Sequence, residues 1–95
     1  MSGEPRGTVE PFSRDDDEPG YLYRQVADHI EARILAGELP TGSRLPGERD
    51  LAVEYGVSIG TVRRATEVLR EQGQVVTLPA KGSFITLTRA VEPGG

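Results

Sequence analysis

The stretch from Leu45 to Ala65 constrains the fold more than any other part of this chain. Pro46 opens a short helical pattern with Leu51, Ala52 and Tyr55 on its apolar face, at a place where a helix tolerates a missing N–H. Gly56 then offers a left-handed conformation that ends this helix and turns the chain. Ser58 is a good N-cap for a second helix. The buried stripe of that helix is Val62, Ala65 and Leu69, joined by Val68, and it also carries Arg63 and Arg64. Two helices around such a turn make a helix-turn-helix, a motif that usually lays its second helix in a DNA major groove.

The flanking segments extend the pattern. Val26, Ile30 and Ile34 recur every four residues, with Leu22, Tyr23, Ala27 and Leu35 beside them, which predicts an amphipathic helix over 22–36. Gly37 follows its last turn, and the loop with Pro40 and Gly42 stops continuation. After Gly73 the period changes. Val75–Leu78 and Ser83–Leu87 are β-prone runs separated by Pro79-Ala80-Lys81-Gly82, which predicts a strand, a turn and a strand. Three helices followed by a two-stranded hairpin make a mainly α fold of the winged helix-turn-helix type, placed over residues 21–88. Residues 89–95 read as a flexible tail.

Residues 1–20 are rich in Gly, Pro, Ser and acids, with Val9 and Phe12 as their only sizeable apolar groups. Such a segment buries too little surface to offset its ordering entropy, so the expectation is a disordered acidic tail. The run Asp15–Glu18 could mimic phosphate and cover a basic face in cis, but a solvated tail is the simpler reading. The charge is uneven along the chain. The total is −4, which argues against a nucleic-acid partner. However, residues 1–20 hold two arginines against six acids, while residues 21–90 hold nine basic and eight acidic side chains. The foldable part is therefore nearly neutral, and weak non-specific affinity for DNA follows.

Size and composition exclude other classes. Ninety-five residues allow one small domain, and a domain of this size buries only about 60% of its unfolded surface, leaving little room for a catalytic cleft. There is no cysteine, so no disulfide or thiolate site forms and a reducing compartment is expected; with a DNA partner, that means the cytoplasm, on the nucleoid. No apolar run approaches the roughly 20 residues that cross a bilayer, and no secretory core opens the chain. His29 is the single histidine and reads as a half-exposed helix residue. Glu48, Asp50 and Glu54 share a short helix with no evident pocket. Phosphate-loop and dinucleotide motifs are missing, so neither an enzyme nor a cofactor or metal site is implied.

With the third helix in the major groove, Ser58, Ile59, Gly60, Thr61 and Arg63 fall on its first turn and a half, the part that approaches base edges. Thr61 can donate to a phosphate or meet a thymine methyl, and Arg63 has the reach for a guanine edge. Gly60 leaves room for close backbone approach. Arg64 lies about 100° round the helix and is read as a phosphate contact or a partner of Glu67 or Glu71.

The spacing of Tyr23-x-x-Val26-Ala27, Ile34-x-x-Gly37-x-Leu39-x-x-Gly42 and Leu45-Pro46-x-Glu48-Arg49-x-Leu51-Ala52 resembles the DNA-binding domain of the GntR family of bacterial transcription regulators. The resemblance continues through Gly56-Val57-Ser58-x-x-Thr61-Val62-Arg63-x-Ala65, Leu69, Gly73 and Gly82-Ser83-Phe84-Ile85. It implies a winged helix-turn-helix that binds operator half-sites as a homodimer, here reading as a repressor. The arginine at Arg49 and positions 58–61 and 63 would contact DNA, the wing tip at Lys81 and Gly82 would enter the minor groove, and Glu48 would orient Arg49 or Arg63. Arg44 and Arg64 complete the expected DNA-facing set.

Three residues depart from the family pattern. Gly47 stands where serine or alanine is usual, and loosens the helix start. Ile59 replaces a residue that is often basic, which removes a guanine contact. Ala80 takes a usual glycine position, where a positive φ is expensive, so a changed turn shape is expected. The chain also has no room for the C-terminal effector domain of such regulators, which reads as a stand-alone domain or a fragment. Ile59, Gly60 and Ala80, with the acidic total and the missing effector domain, support an alternative: a winged-helix module that binds another protein, such as a full-length regulator, and has little affinity for DNA.

Overall fold

The computed structural model describes residues 9–13 and 21–86. In chain order the elements are α1 (Leu22–Leu35), α2 (Glu48–Tyr55), α3 (Ile59–Glu71), β1 (Val75–Leu78) and β2 (Gly82–Ile85). The strands pair antiparallel, Val75 with Ile85 through to Leu78 with Gly82. This is the expected winged helix-turn-helix. Leu87, assigned to the second strand from sequence, lies outside the described residues, as do 89–95.

Each boundary has a local cause. Gly37 takes φ +87° just past α1, and the Glu38 N–H returns to the Arg33 carbonyl at 2.9 Å, closing the helix end as a glycine-terminated turn does. The start of α2 differs from the expectation at Pro46. Gly47 keeps an extended backbone as N-cap, and the Leu51 N–H reaches its carbonyl at 2.9 Å. Gly47 has no side chain to cap the helix, so Glu48 and Asp50 in the first turn supply the negative charge that the helix dipole favours. Gly56 adopts the left-handed conformation at φ +67°. The Ser58 side chain accepts the Thr61 N–H at 3.1 Å, a cap contributing about 1 kcal/mol.

The core gathers one stripe from each helix. Val26, Ile30, Leu51, Val62, Ala65 and Leu69 are almost completely buried, with Val75 and Ile85 closing the wing side. One connection is not legible as a strand in the sequence. Residues 42–45 run along β2: Leu45 N–H donates to Ser83 O at 2.8 Å and Ile85 N–H to Ser43 O at 2.9 Å, leaving Arg44 bridged to Phe84. The wing is thereby fastened to the loop that leads into α2.

The acidic tail departs from its expectation in one place. Phe12 is half-buried against the core and meets His29 and Tyr55 edge-on, at ring-centre distances of 5.6 and 5.0 Å. Phe12 finds a place here because the His29 and Tyr55 rings offer it edge-on contacts.

Candidate nucleic-acid interface

The N-cap at Ser58 fixes what the first turn of α3 can offer. Ser58 Oγ accepts the Thr61 N–H and its own hydroxyl donates to Thr61 Oγ1 at 3.0 Å. The Thr61 hydroxyl proton is then left to donate outward. Gly60 is exposed on the same turn, and a Cβ added there would meet nothing nearer than Ser58 Oγ at 3.8 Å. Nothing within the chain demands glycine at this position. Ile59 is half-buried and packs partly against the core, so it presents only part of its side chain outward.

Arg63 is exposed, and its Nε donates to Glu48 Oε1 at 3.1 Å. Between the two arginines that Glu48 was expected to orient, the carboxylate holds Arg63. Glu48 itself is about half exposed, so the pair contributes little to stability; its effect is to aim the guanidinium. Arg49, on the first turn of α2, is exposed and meets no carboxylate among the described residues. Of the two roles expected for Arg64, the pairing with Glu67 or Glu71 does not form. The Arg64 guanidinium stands 4.5 Å from the centre of the Tyr23 ring, a cation–π contact that ties α3 to the start of α1. Sequence spacing could not reveal a pairing between residues so far apart in the chain.

At the wing, Lys81 is exposed at the tip, and its N–H closes the turn on the Leu78 carbonyl at 3.0 Å. Ala80 takes φ +64°. The turn therefore does not change shape to suit alanine; the pairing of the two strands outweighs the strain. Gly82 has φ +105°, and the Arg44 guanidinium lies so close that a Cβ there would be 2.8 Å from Nε. Arg44 is thus placed on the wing rather than on the helix it precedes.

A cleft of about 310 Å³ opens between the start of α2, the later turns of α3 and the hairpin, with Arg44, Glu48, Arg70, Thr77, Gly82 and Ser83 in its walls. Arg70 and Thr77 were not singled out from sequence. The available signal was that Arg70 lies seven residues after Arg63, two helical turns along one face.

A separate polar network joins α1, the loop after it and the end of α2. Arg33 pairs with Glu38 at 3.3 Å and Glu54 at 3.1 Å, and donates to the Tyr55 phenol at 3.2 Å. Burial opposes the Arg33 charge, but Tyr55 and the two glutamates outweigh it and raise its pKa. Burial likewise pushes the Tyr55 phenol up, against the lowering effect of Arg33. His29 contacts both the Glu10 carbonyl and Tyr55 at 2.7 Å. A carbonyl only accepts, so Nε2 carries a proton; in the neutral imidazole Nδ1 accepts from the phenol. His29 is therefore a structural residue at half burial, held between Glu10, Phe12 and Tyr55. Among the described residues no helix is long and apolar enough to cross a membrane, and no three His, Cys, Asp or Glu side chains gather to hold a metal.

Residues 22–85 match the family described as bacterial regulatory proteins, gntR family. The chain belongs to the GntR family. The mannosyl-D-glycerate transport/metabolism system repressor MngR of Escherichia coli K12 is 44% identical over 64 residues, covering 67% of this chain and 27% of that protein. The transcriptional repressor NagR of Bacillus subtilis is 34% identical over 65 residues, covering 68% and 27%. The chain thus spans about a quarter of the length of these curated relatives. Among solved structures, YtrA from Sulfolobus acidocaldarius, a GntR-family transcription factor, superimposes with TM-score 0.72 at 30% identity over 83% of both chains. The AraR DNA-binding domain in complex with operator ORE1 gives TM-score 0.64 at 31% identity, covering 67% of this chain and 78% of that one. Over residues 22–85 the chain is the winged helix-turn-helix domain of the GntR family.

Proposed function

We propose that the chain is a sequence-specific operator reader that acts as a repressor by occluding a promoter. In this reading α3 enters the major groove, with Gly60 allowing close approach and Arg63 and Thr61 addressing base edges and phosphate. Arg49 follows from α2, and Lys81 on the turn Pro79–Gly82 enters the adjacent minor groove. Arg44 and Arg64 serve the backbone, and Ser58 and Ile59 shape the first turn.

The observation that carries this reading is the exposed first turn of α3. It joins an open glycine, an outward-donating hydroxyl and an arginine aimed by Glu48. The repressor names of MngR and NagR, and the operator complex of AraR, support it. One such module buries only about 600–1,000 Å² on DNA, so two copies on adjacent half-sites are needed for tight binding. The chain would then work on the nucleoid, in the cytoplasm.

The test is titration of a selected operator with Arg49→Ala and Arg63→Ala variants. Each is expected to lose about 1–3 kcal/mol of specific binding. Unchanged operator affinity in both variants would remove the site assignment.

A further inference from the structure

Two cations, 26 residues apart in sequence, line the wing-side cleft. Arg44 arrives from the loop before α2 and lies against Gly82. Arg70 arrives from the last turn of α3, and its Nη1 donates to Thr77 Oγ1 at 3.2 Å. Thr77 Oγ1 is in turn 2.8 Å from Ser83 Oγ, so hydroxyls on both wing strands hold Arg70 in position. Among the described residues, Glu48 is the only carboxylate in the cleft wall, and it is engaged by Arg63. Neither Arg44 nor Arg70 has a carboxylate partner among those residues. Thr66, also in the wall, directs its hydroxyl to the Val62 carbonyl at 2.9 Å. The cleft therefore holds two guanidiniums and a surplus of positive charge.

Its position says which anion fits. A domain with α3 in one groove and the hairpin tip in the next has a single sugar–phosphate strand between them. In the operator reading that strand crosses the surface over the mouth of the cleft between α3 and the hairpin. We infer that Arg44 and Arg70 clamp one backbone phosphate of this dividing strand, with Thr77 and Ser83 positioning Arg70. The inference rests on the operator-reading proposal and adds to it a contact that tethers the wing to the backbone whatever the base sequence. Guanidiniums suit this task because their planar N–H forks match phosphate oxygens.

The test compares wild-type chain with Arg70→Ala and Arg70→Lys on a selected operator and a scrambled duplex over a range of salt. Melting of each variant is followed in parallel to show that it is folded. Arg70→Ala is expected to weaken both duplexes by a similar factor and to reduce the slope of log Kobs against log salt by about 0.9. Arg70→Lys is expected to keep the slope and bind more weakly than wild type.

A neutral methylphosphonate is then walked along the dividing strand. One position should weaken wild type while leaving Arg70→Ala unaffected. Wild-type binding with an unchanged affinity and slope in folded Arg70→Ala would overturn the clamp alone. The same holds if inorganic phosphate, at matched ionic strength, raises the melting temperature through Arg70 while the DNA slope stays unchanged. If wild type binds no duplex, the operator-reading proposal itself falls.

Discussion

The Arg44 guanidinium occupies the space that a side chain at Gly82 would need, with Nε 2.8 Å from the place of a Cβ. Gly82 also has φ +105°, a region that other residues rarely adopt. Gly82→Ala is therefore expected to cost about 1–2 kcal/mol of stability, from backbone strain together with displacement of Arg44. Denaturant unfolding checks this, with operator binding measured on the folded fraction.

Ala80 gives the opposite expectation. It holds φ +64° at the second central position of a turn whose first is Pro79, where a type II turn favours glycine. Ala80→Gly removes a cost of about 1 kcal/mol, partly offset by the greater freedom of glycine in the unfolded chain. The expected outcome is a small rise in melting temperature with unchanged strand pairing.

Gly60 separates stability from recognition. Alanine fits there without a clash and is the better helix former, so Gly60→Ala is expected to stabilise the fold by up to about 0.5–1 kcal/mol. The added methyl stands on the exposed turn that the proposed function brings to DNA, so operator affinity is expected to fall. Melting and binding measured on the same preparation should move in opposite directions.

Glu48 holds Arg63 through a single 3.1 Å bond, and in the proposed operator complex it would also place a negative charge near phosphates. Glu48→Gln is expected to raise affinity for scrambled DNA while lowering the ratio between operator and scrambled duplex. Stability should change little, because the pair is exposed. Equal gains on both duplexes would show that Glu48 acts through its charge alone.

Tyr55 predicts the alkaline limit of stability. Burial raises its pKa above the ordinary 10.0, against the lowering effect of Arg33. A raised folded pKa gives a stabilising contribution that is complete below the unfolded value and is lost as pH rises through the folded one. Denaturant midpoints should fall above about pH 10, and the fall should be smaller in Tyr55→Phe.

The helices and hairpin were legible because their signals are local. Gly56 needs a left-handed turn, Ser58 caps the next helix, and the apolar period switches after Gly73. The features that were not legible depend on contacts distant in sequence. A single bridged residue, Arg44 against Phe84, leaves no strand pattern. Tyr23 meets Arg64, and Phe12 meets Tyr55, only after the helices have packed. Turn strain at Ala80 was anticipated, but the surrounding strand pairing decides whether the turn yields, and composition does not contain that balance. For the candidate interface, residue types and first-turn positions were readable. The choice of Arg63 over Arg49 as the partner of Glu48 required coordinates.

Operator reading is put to its sharpest test by selection of bound sequences from a random duplex library, followed by titration of the winner against scrambled DNA at two salt concentrations. The expected result is an enriched two-fold symmetric site, clear discrimination and an affinity that falls steeply with salt. No enrichment at low salt, or binding to a protein partner that barely responds to salt, would contradict it.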